Sequence, residues 1–149
     1  MSNRIFPTAQ DAENAFYEAL ERCDLDGMMA VWAEDEDIVC VHPGGPRLTG
    51  QDQVRESWAQ IFAAGPRAQV RIEQQVAISG MMLAVHSVFE HFSIPGQPAG
   101  PQERQPAPIV ATNVYLRTAA GWRMIVHHAS PAPAEPAAES ASASPKILH

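Results

Sequence analysis

Apolar positions recur at helical spacing in the first part of the chain and predict three helices. The first helix is predicted from Thr8 to Cys23. Thr8 with Asp11 three residues later is typical of a capping box, which satisfies free N–H groups of the first turn. A shorter second helix is predicted to follow, with Asp24 as its cap. The apolar stripe of the first helix consists of Ala12, Ala15, Phe16, Ala19, Leu20 and Cys23.

A short strand and a third helix follow. Asp37–His42 is predicted as a strand, and the run Pro43-Gly44-Gly45-Pro46 ends it because these residues favour turns. Thr49 and Asp52 resemble a second capping pair, and Gly65-Pro66 ends the helix that they open. Its apolar side carries Val54, Trp58, Ile61 and Phe62.

After Pro66 the pattern changes from a helical period to alternation, which is typical of half-buried strands. Four long antiparallel strands are predicted, at 70–78, 81–94, 109–117 and 122–130. Helices followed by strands indicate an α+β fold with three N-terminal helices packed on a curved antiparallel sheet. Three helices cannot fully cover four long strands, so we expect a cavity between the two layers.

Composition divides the chain into one domain and a tail. Residues 1–130 are predicted to form the domain, and residues 131–149 consist largely of Ala, Pro, Ser and Glu. Such a segment buries too little apolar surface to offset its chain entropy, so we expect it to be disordered. The loop at 95–108 is rich in Pro, Gly and Gln, and its length would permit a lid.

Charge and hydropathy exclude several classes of function. The net charge is -7 and the ten basic residues are scattered, which argues against a nucleic-acid partner. No apolar run approaches the roughly 18 residues of a membrane span, and the start has no apolar signal region. Two cysteines are too few for a disulfide framework. We expect a cytoplasmic protein.

Several segments resemble the ketosteroid isomerase and SnoaL-like group of the NTF2-like superfamily. They are Asp24-Leu25-Asp26-Gly27, Trp32-Ala33-Glu34-Asp35, Val41-His42-Pro43-Gly44, Leu48-Thr49-Gly50 and the last strand from Gly121 to Ser130. The last strand is also similar to the end of the association domain of calcium/calmodulin-dependent kinase. The resemblance covers roughly Ala9 to Pro131 and implies a cone-shaped domain, a ligand cavity and a homodimer.

The resemblance also implies positions for catalytic groups. His42 stands where ketosteroid isomerases have a general-base Asp, and Phe16 stands where they have an oxyanion-hole Tyr, with Tyr17 next to it. Their second oxyanion donor, a protonated Asp, falls at Asn113, or at Thr112 if the alignment slips by one. At all three positions this sequence has a different residue from the isomerases, and Phe16 cannot donate a hydrogen bond. Steroid isomerisation itself is therefore not expected.

His42 is the predicted catalytic acid/base, because an imidazole titrates near neutrality. The alternative is that His42 only bonds to the turn that follows it. Trp58 is predicted to belong to the core and also to form a wall of the cavity with Phe16.

The strands offer further candidate pocket residues. His86 and Glu90 share one face of their strand, and this face points either into the cavity or to the outside. Asn113 and His128 are predicted to orient a polar group of the ligand. His127 lies on the opposite face and is predicted to stabilise the dimer sheet or to satisfy backbone groups.

The spacing of the histidines matches no metal motif, and no nucleotide-binding loop is present, so we expect neither metal nor cofactor. The predicted function is that of a pocket protein for a small apolar or aromatic molecule. Such a protein could be an acid/base isomerase, cyclase or lyase that acts on an apolar carbonyl compound. The alternative is a non-catalytic ligand-binding or assembly module.

Overall fold

The computed structural model describes residues 4–34, 37–96 and 107–133. Three helices come first, with one pair of short strands before the third helix and four long strands after it. The helices are α1 (Ala9–Arg22), α2 (Leu25–Val31) and α3 (Gly50–Ala64). The strands are β1 (Val39–Val41), β2 (Arg47–Thr49), β3 (Gln69–Ser79), β4 (Leu83–Ser93), β5 (Ile109–Thr118) and β6 (Gly121–Pro131).

Two of the three predicted helix caps are present. The Thr8 hydroxyl accepts from the Asp11 N–H at 3.0 Å, and Asp24 Oδ1 accepts from the Gly27 N–H at 3.0 Å. The predicted Thr49–Asp52 pair is wrong, since the Thr49 side chain makes no cap bond. The Gln53 side-chain oxygen instead accepts from the Thr49 N–H at 2.9 Å.

The six strands form one curved sheet in the order β2-β1-β6-β5-β4-β3. Neighbours are antiparallel except β1 and β6, which run parallel. The sequence pattern predicts neither β2 nor this parallel pairing. The α+β content and the three helices are confirmed, and helix α1 packs against β3, β5 and β6 on the inner face of the sheet.

Two β-bulges change which side chains point inward. In β3, Glu73 pairs with Phe89 and Val76 with Ser87, so two residues lie opposite one. In β6, Met124 pairs with Tyr115 and Val126 with Val114, which leaves Ile125 as an extra residue. Each extra residue reverses the alternation of the strand beyond it.

Parts of the sequence predictions fall outside the described residues. They are residues 97–106 of the expected lid and residues 134–149 of the expected tail. Before the latter, β6 continues to Pro131, and the Ala132 N–H donates to the Pro108 carbonyl at 2.9 Å. Within the described ranges, no helix combines the length and the apolar character needed to cross a membrane.

Candidate active site

A cavity of about 220 Å³ lies between the helices and the inner face of the sheet. Its wall is mainly apolar, and two histidines and one carboxyl contribute to it: His42, His127 and Glu90. The other lining residues are Leu20, Cys23, Pro43, Trp58, Ile61, Phe62, Pro66, Ala68, Phe92 and Ala129. An apolar hollow with a few polar groups is the usual form of a small-molecule site.

His42 follows β1 directly and is half-buried beside α3. Its Nε2 lies 3.0 Å from Ser57 Oγ, and its ring meets the Trp58 ring edge-on at 4.7 Å. The Ser57 hydroxyl donates its proton to the Val54 carbonyl at 2.8 Å, so it accepts from His42 Nε2. His42 therefore carries its proton on Nε2 and has an unprotonated Nδ1. Burial lowers the pKa of His42, which favours this neutral form.

Cys40 lies next to His42, but its thiol is not a candidate nucleophile. Its Sγ is 3.7 Å from His42 Nε2, and the side chain is fully buried. Burial raises the pKa of the Cys40 thiol to about 12, so the thiol stays protonated and is a poor nucleophile.

Glu90 projects from β4 into the cavity wall and is 2% exposed. Its Oε2 accepts a hydrogen bond of 2.5 Å from the Tyr17 hydroxyl on α1. The pKa of Glu90 is raised to about 7: burial is the largest cause, the Tyr17 bond opposes the rise, and nearby Glu13 adds to it. Burial and Glu90 in turn raise the pKa of Tyr17 well above its usual value.

Glu13 is a buried carboxylate that connects α1 to three strands. Its Oε2 accepts from Asn113 Nδ2 at 3.0 Å and from the Tyr115 hydroxyl at 2.9 Å. Its Oε1 accepts from Gln75 Nε2 at 2.5 Å and lies 3.1 Å from His86 Nδ1. Four partners satisfy both oxygens, which allows this carboxylate to remain buried.

Asn113 links the Glu13 cluster to the cavity. Its Nδ2 lies 3.0 Å from the Tyr17 oxygen, and its Oδ1 lies 2.6 Å from His127 Nδ1. The pKa of His127 is lowered to about 3, mainly by burial and also by the neighbouring His42 and His128, so the ring is neutral.

The structure brings several predicted residues together and separates others. His86 and Glu90 both face inward, yet the partner of His86 is Glu13 and the partner of Glu90 is Tyr17. Asn113 is fully buried behind His127. Trp58 belongs to both the core and the cavity wall.

The predictions for His128 and Phe16 need correction. His128 is exposed and does not line the cavity, whereas His127 is buried and does. The cause is the extra residue Ile125, which reverses the alternation of β6. Phe16 lies in the core behind the cavity wall, with its ring 5.7 Å from the Trp58 ring and 4.8 Å from the His127 ring.

Sequence reasoning missed Glu13, Ser57 and the position of His127. Glu13 lies four residues before Tyr17 on α1, so the two side chains share a face beside the apolar stripe. This spacing of four residues is the sequence signal that could have identified Glu13. In the described part of the chain, no three His, Cys, Asp or Glu side chains come together in a group that could hold a metal ion.

Comparison with known proteins identifies the family. The model of the SnoaL-like domain matches residues 10–135. A candidate calcium/calmodulin-dependent protein kinase type II association domain from Thiobacillus denitrificans is 39% identical, with a TM-score of 0.76 over 87% of this chain and 99% of that chain. A candidate dehydratase of the NTF2-like family from Streptomyces avermitilis is 34% identical, with a TM-score of 0.71 over 83% of this chain and 92% of that chain.

A more distant structure shares the fold alone. The ketosteroid isomerase-like protein from Erwinia carotovora atroseptica is 20% identical, with a TM-score of 0.63 over 83% of this chain and 94% of that chain. A comparison with curated proteins gives no match. The family model and the two similar structures agree with the segments that carry the sequence resemblance. The chain therefore belongs to the SnoaL-like domain family, within the NTF2-like group.

Proposed function

We propose that this protein is an acid/base enzyme, an isomerase, cyclase or lyase, that acts on a small apolar carbonyl compound in the cavity. The observation that carries the proposal is that a neutral imidazole and a protonatable carboxyl line one apolar cavity. They are His42 and Glu90. Acid/base sites typically contain two titratable groups whose surroundings shift their pKa values in opposite directions, so that one group accepts a proton while the other donates one.

The two groups have complementary roles in this reaction. The unprotonated Nδ1 of His42 takes a proton from the carbon next to the carbonyl, and the carbonyl becomes an enolate. Glu90, which titrates near neutrality, gives its proton to the developing oxyanion, or to a hydroxyl that leaves as water. Return of the His42 proton to a different carbon, with return of the enol proton to Glu90, completes an isomerisation. In an elimination the leaving water carries away the Glu90 proton, and the proton taken up by His42 then restores the Glu90 carboxyl. The dehydratase description of the Streptomyces avermitilis structure supports the elimination.

Replacement of His42 tests this proposal. We expect His42→Ala to lower turnover of α,β-unsaturated ketones and β-hydroxy ketones by about 10²–10⁴-fold, the usual contribution of one general base. His128→Ala is the matched control, because that ring is exposed outside the cavity. Equal rates in His42→Ala and the wild type would remove the catalytic role.

A non-catalytic assembly or ligand-binding module is the second candidate. The similarity to the kinase association domain favours it, since that structure has the highest identity of those compared above. Native mass spectrometry of the purified protein distinguishes the candidates in part. A co-purifying small molecule supports a functional cavity, whereas a bare oligomer without turnover supports assembly.

We also propose a homodimer in which a second copy covers the outer face of the sheet. Val76 and Ile78 are 60% and 65% exposed and stand on the outer side of β3, opposite Ser87 and Val85. Exposed apolar side chains grouped on one face are typical of an association surface.

A further inference from the structure

The amide of Asn113 has a fixed orientation. Glu13 Oε2 lies 3.0 Å from the Asn113 amide and also accepts from the Tyr115 hydroxyl at 2.9 Å. Because this oxygen accepts, the Asn113 atom facing it must be the amide nitrogen. The same nitrogen reaches the Tyr17 oxygen at 3.0 Å with its second proton. The Asn113 carbonyl oxygen therefore faces His127.

This orientation selects one tautomer of His127. The carbonyl oxygen of Asn113 only accepts, so His127 Nδ1, 2.6 Å away, carries the proton. The ring is neutral because burial lowers the pKa of His127 to about 3. His127 Nε2 is therefore a bare lone pair. No hydrogen-bond partner of this atom occurs in the described part of the chain, and the ring lines the cavity.

We propose that His127 Nε2 is a permanent hydrogen-bond acceptor in the cavity and that it selects ligands carrying a hydroxyl group on an apolar ring. Asn113 and Glu13 are positioning residues, which act through the tautomer of His127. The inference rests on the proposed function, because it requires a small molecule in the cavity.

Glu90 does not select for ligands with a hydroxyl group in the same way as His127. Its carboxyl accepts when ionised and donates when protonated, and its pKa of about 7 lets it do either near neutral pH. At pH 5.5 the carboxyl is mostly protonated and presents a donor, whereas His127 remains an acceptor because its pKa is about 3. Because His42 Nδ1 and the carbonyl oxygen of the protonated carboxyl can also accept a hydrogen bond, the comparison of the wild type with His127→Phe, and not the preference alone, reports on His127.

The test is isothermal titration calorimetry at pH 5.5 with 2-naphthol and 2-methoxynaphthalene. The two probes share a ring system whose size suits a cavity of about 220 Å³, and only 2-naphthol can donate a hydrogen bond. We expect the wild type to bind 2-naphthol about tenfold more tightly, the size of one good hydrogen bond. His127→Phe should bind both probes about equally, whereas the control His128→Phe should retain the preference.

The outcomes separate the inference from the proposed function. Equal binding of the two probes by the wild type, or a retained preference in His127→Phe, would overturn the inference and leave the proposed function standing. Binding of neither probe would overturn both, because the cavity would not admit an apolar ring.

A second measurement covers the case in which His127→Phe does not fold. Nitrogen-15 spectra of the ring-labelled wild-type protein at pH 5.5 should show His127 protonated at Nδ1 and bare at Nε2. The opposite tautomer, or an imidazolium, would contradict the inference without any substitution.

Discussion

Tyr17 and Glu90 join α1 to β4 through a hydrogen bond of 2.5 Å between the phenolic hydroxyl and a carboxyl oxygen. The bond is buried, and 73 positions of sequence separate the two residues. On the other side of Tyr17, Asn113 donates to the phenolic oxygen and so ties this pair to the Glu13 cluster. The protonation of a group in the cavity wall thus depends on residues deep in the core.

Glu90→Gln should change how stability depends on pH. The pKa of Glu90 is about 7 in the folded protein and near 4.5 in the unfolded chain, so the folded state binds this proton more tightly between those values. The wild-type free energy of unfolding should therefore fall as pH rises through this window, by about 3 kcal/mol from this group. Glu90→Gln should lack that fall, as measured by urea unfolding at pH 4.5–8.

Comparison with an exposed carboxyl isolates the effect of Glu90. The groups that contact or approach Glu90 are Tyr17 and Glu13, and both remain in the variant. Glu56→Gln, on the exposed side of α3, serves as the control and should follow the wild-type profile. If Glu90→Gln also followed the wild-type profile, the carboxyl would not be titrating near neutrality.

His127→Phe should reduce the loss of stability that the wild type shows as the pH falls below 6.5. The pKa of His127 falls from 6.5 to about 3 on folding. As the pH is lowered, the unfolded chain therefore takes up this proton at a higher pH than the folded protein does. Its contribution to stability is fully present above pH 6.5 and is lost as pH falls toward 3, about 5 kcal/mol over the whole window. This sign is opposite to that of Glu90.

The variant also has a cost that does not depend on pH. The phenyl ring leaves the Asn113 carbonyl without its partner, so we expect about 1–3 kcal/mol of destabilisation at pH 7. His128→Phe, in which the adjacent exposed ring is replaced, should cause neither change. Denaturant unfolding of the three proteins between pH 4 and 7 measures both effects. A His127→Phe slope as steep as the wild-type slope would contradict the prediction.

The sequence patterns predicted the elements well because helical stripes and strand alternation are local signals. Such periodicity predicts the three helices, the order of the long strands along the chain and the shared face of His86 and Glu90, but not that this face points inward. Short β2 and the parallel pairing of β1 with β6 depend on distant contacts, and the local pattern does not encode them.

The error at His127 and His128 has one physical source. Alternation predicts a face only while the strand is regular, and the extra residue Ile125 places His127 inside and His128 outside. The same applies to β3, where Val70 and Ile72 pack on the core but Val76 and Ile78 point outward beyond the bulge. Gln74 at this bulge has a φ of 55°, which its sequence neighbours do not indicate.

Tyr17→Phe should destabilise the protein and raise the pKa of Glu90. The hydroxyl donates to Glu90 and accepts from Asn113, so its loss leaves two buried groups without this partner. We expect a loss of about 1–3 kcal/mol in the free energy of unfolding. The Tyr17 bond lowers the pKa of Glu90, so its removal should move the carboxyl titration upward. Carbon-13 spectra of labelled glutamate across pH 5–9 would measure the shift, and a downward shift would contradict this account.

Ile78→Lys should weaken self-association while leaving the fold intact. The Ile78 side chain is 65% exposed on the outer side of β3, so a lysine there meets solvent in the monomer and loses no core packing. In a dimer formed through this face, two copies of the added charge would be buried without partners, which is costly. Sedimentation velocity should therefore show a dimer for the wild type and a monomer for Ile78→Lys. Ile5→Lys is the control, because Ile5 is similarly exposed (68%) but precedes α1 and lies outside the sheet. A monomeric wild type, or a dimer that persists in Ile78→Lys, would exclude this face as the interface.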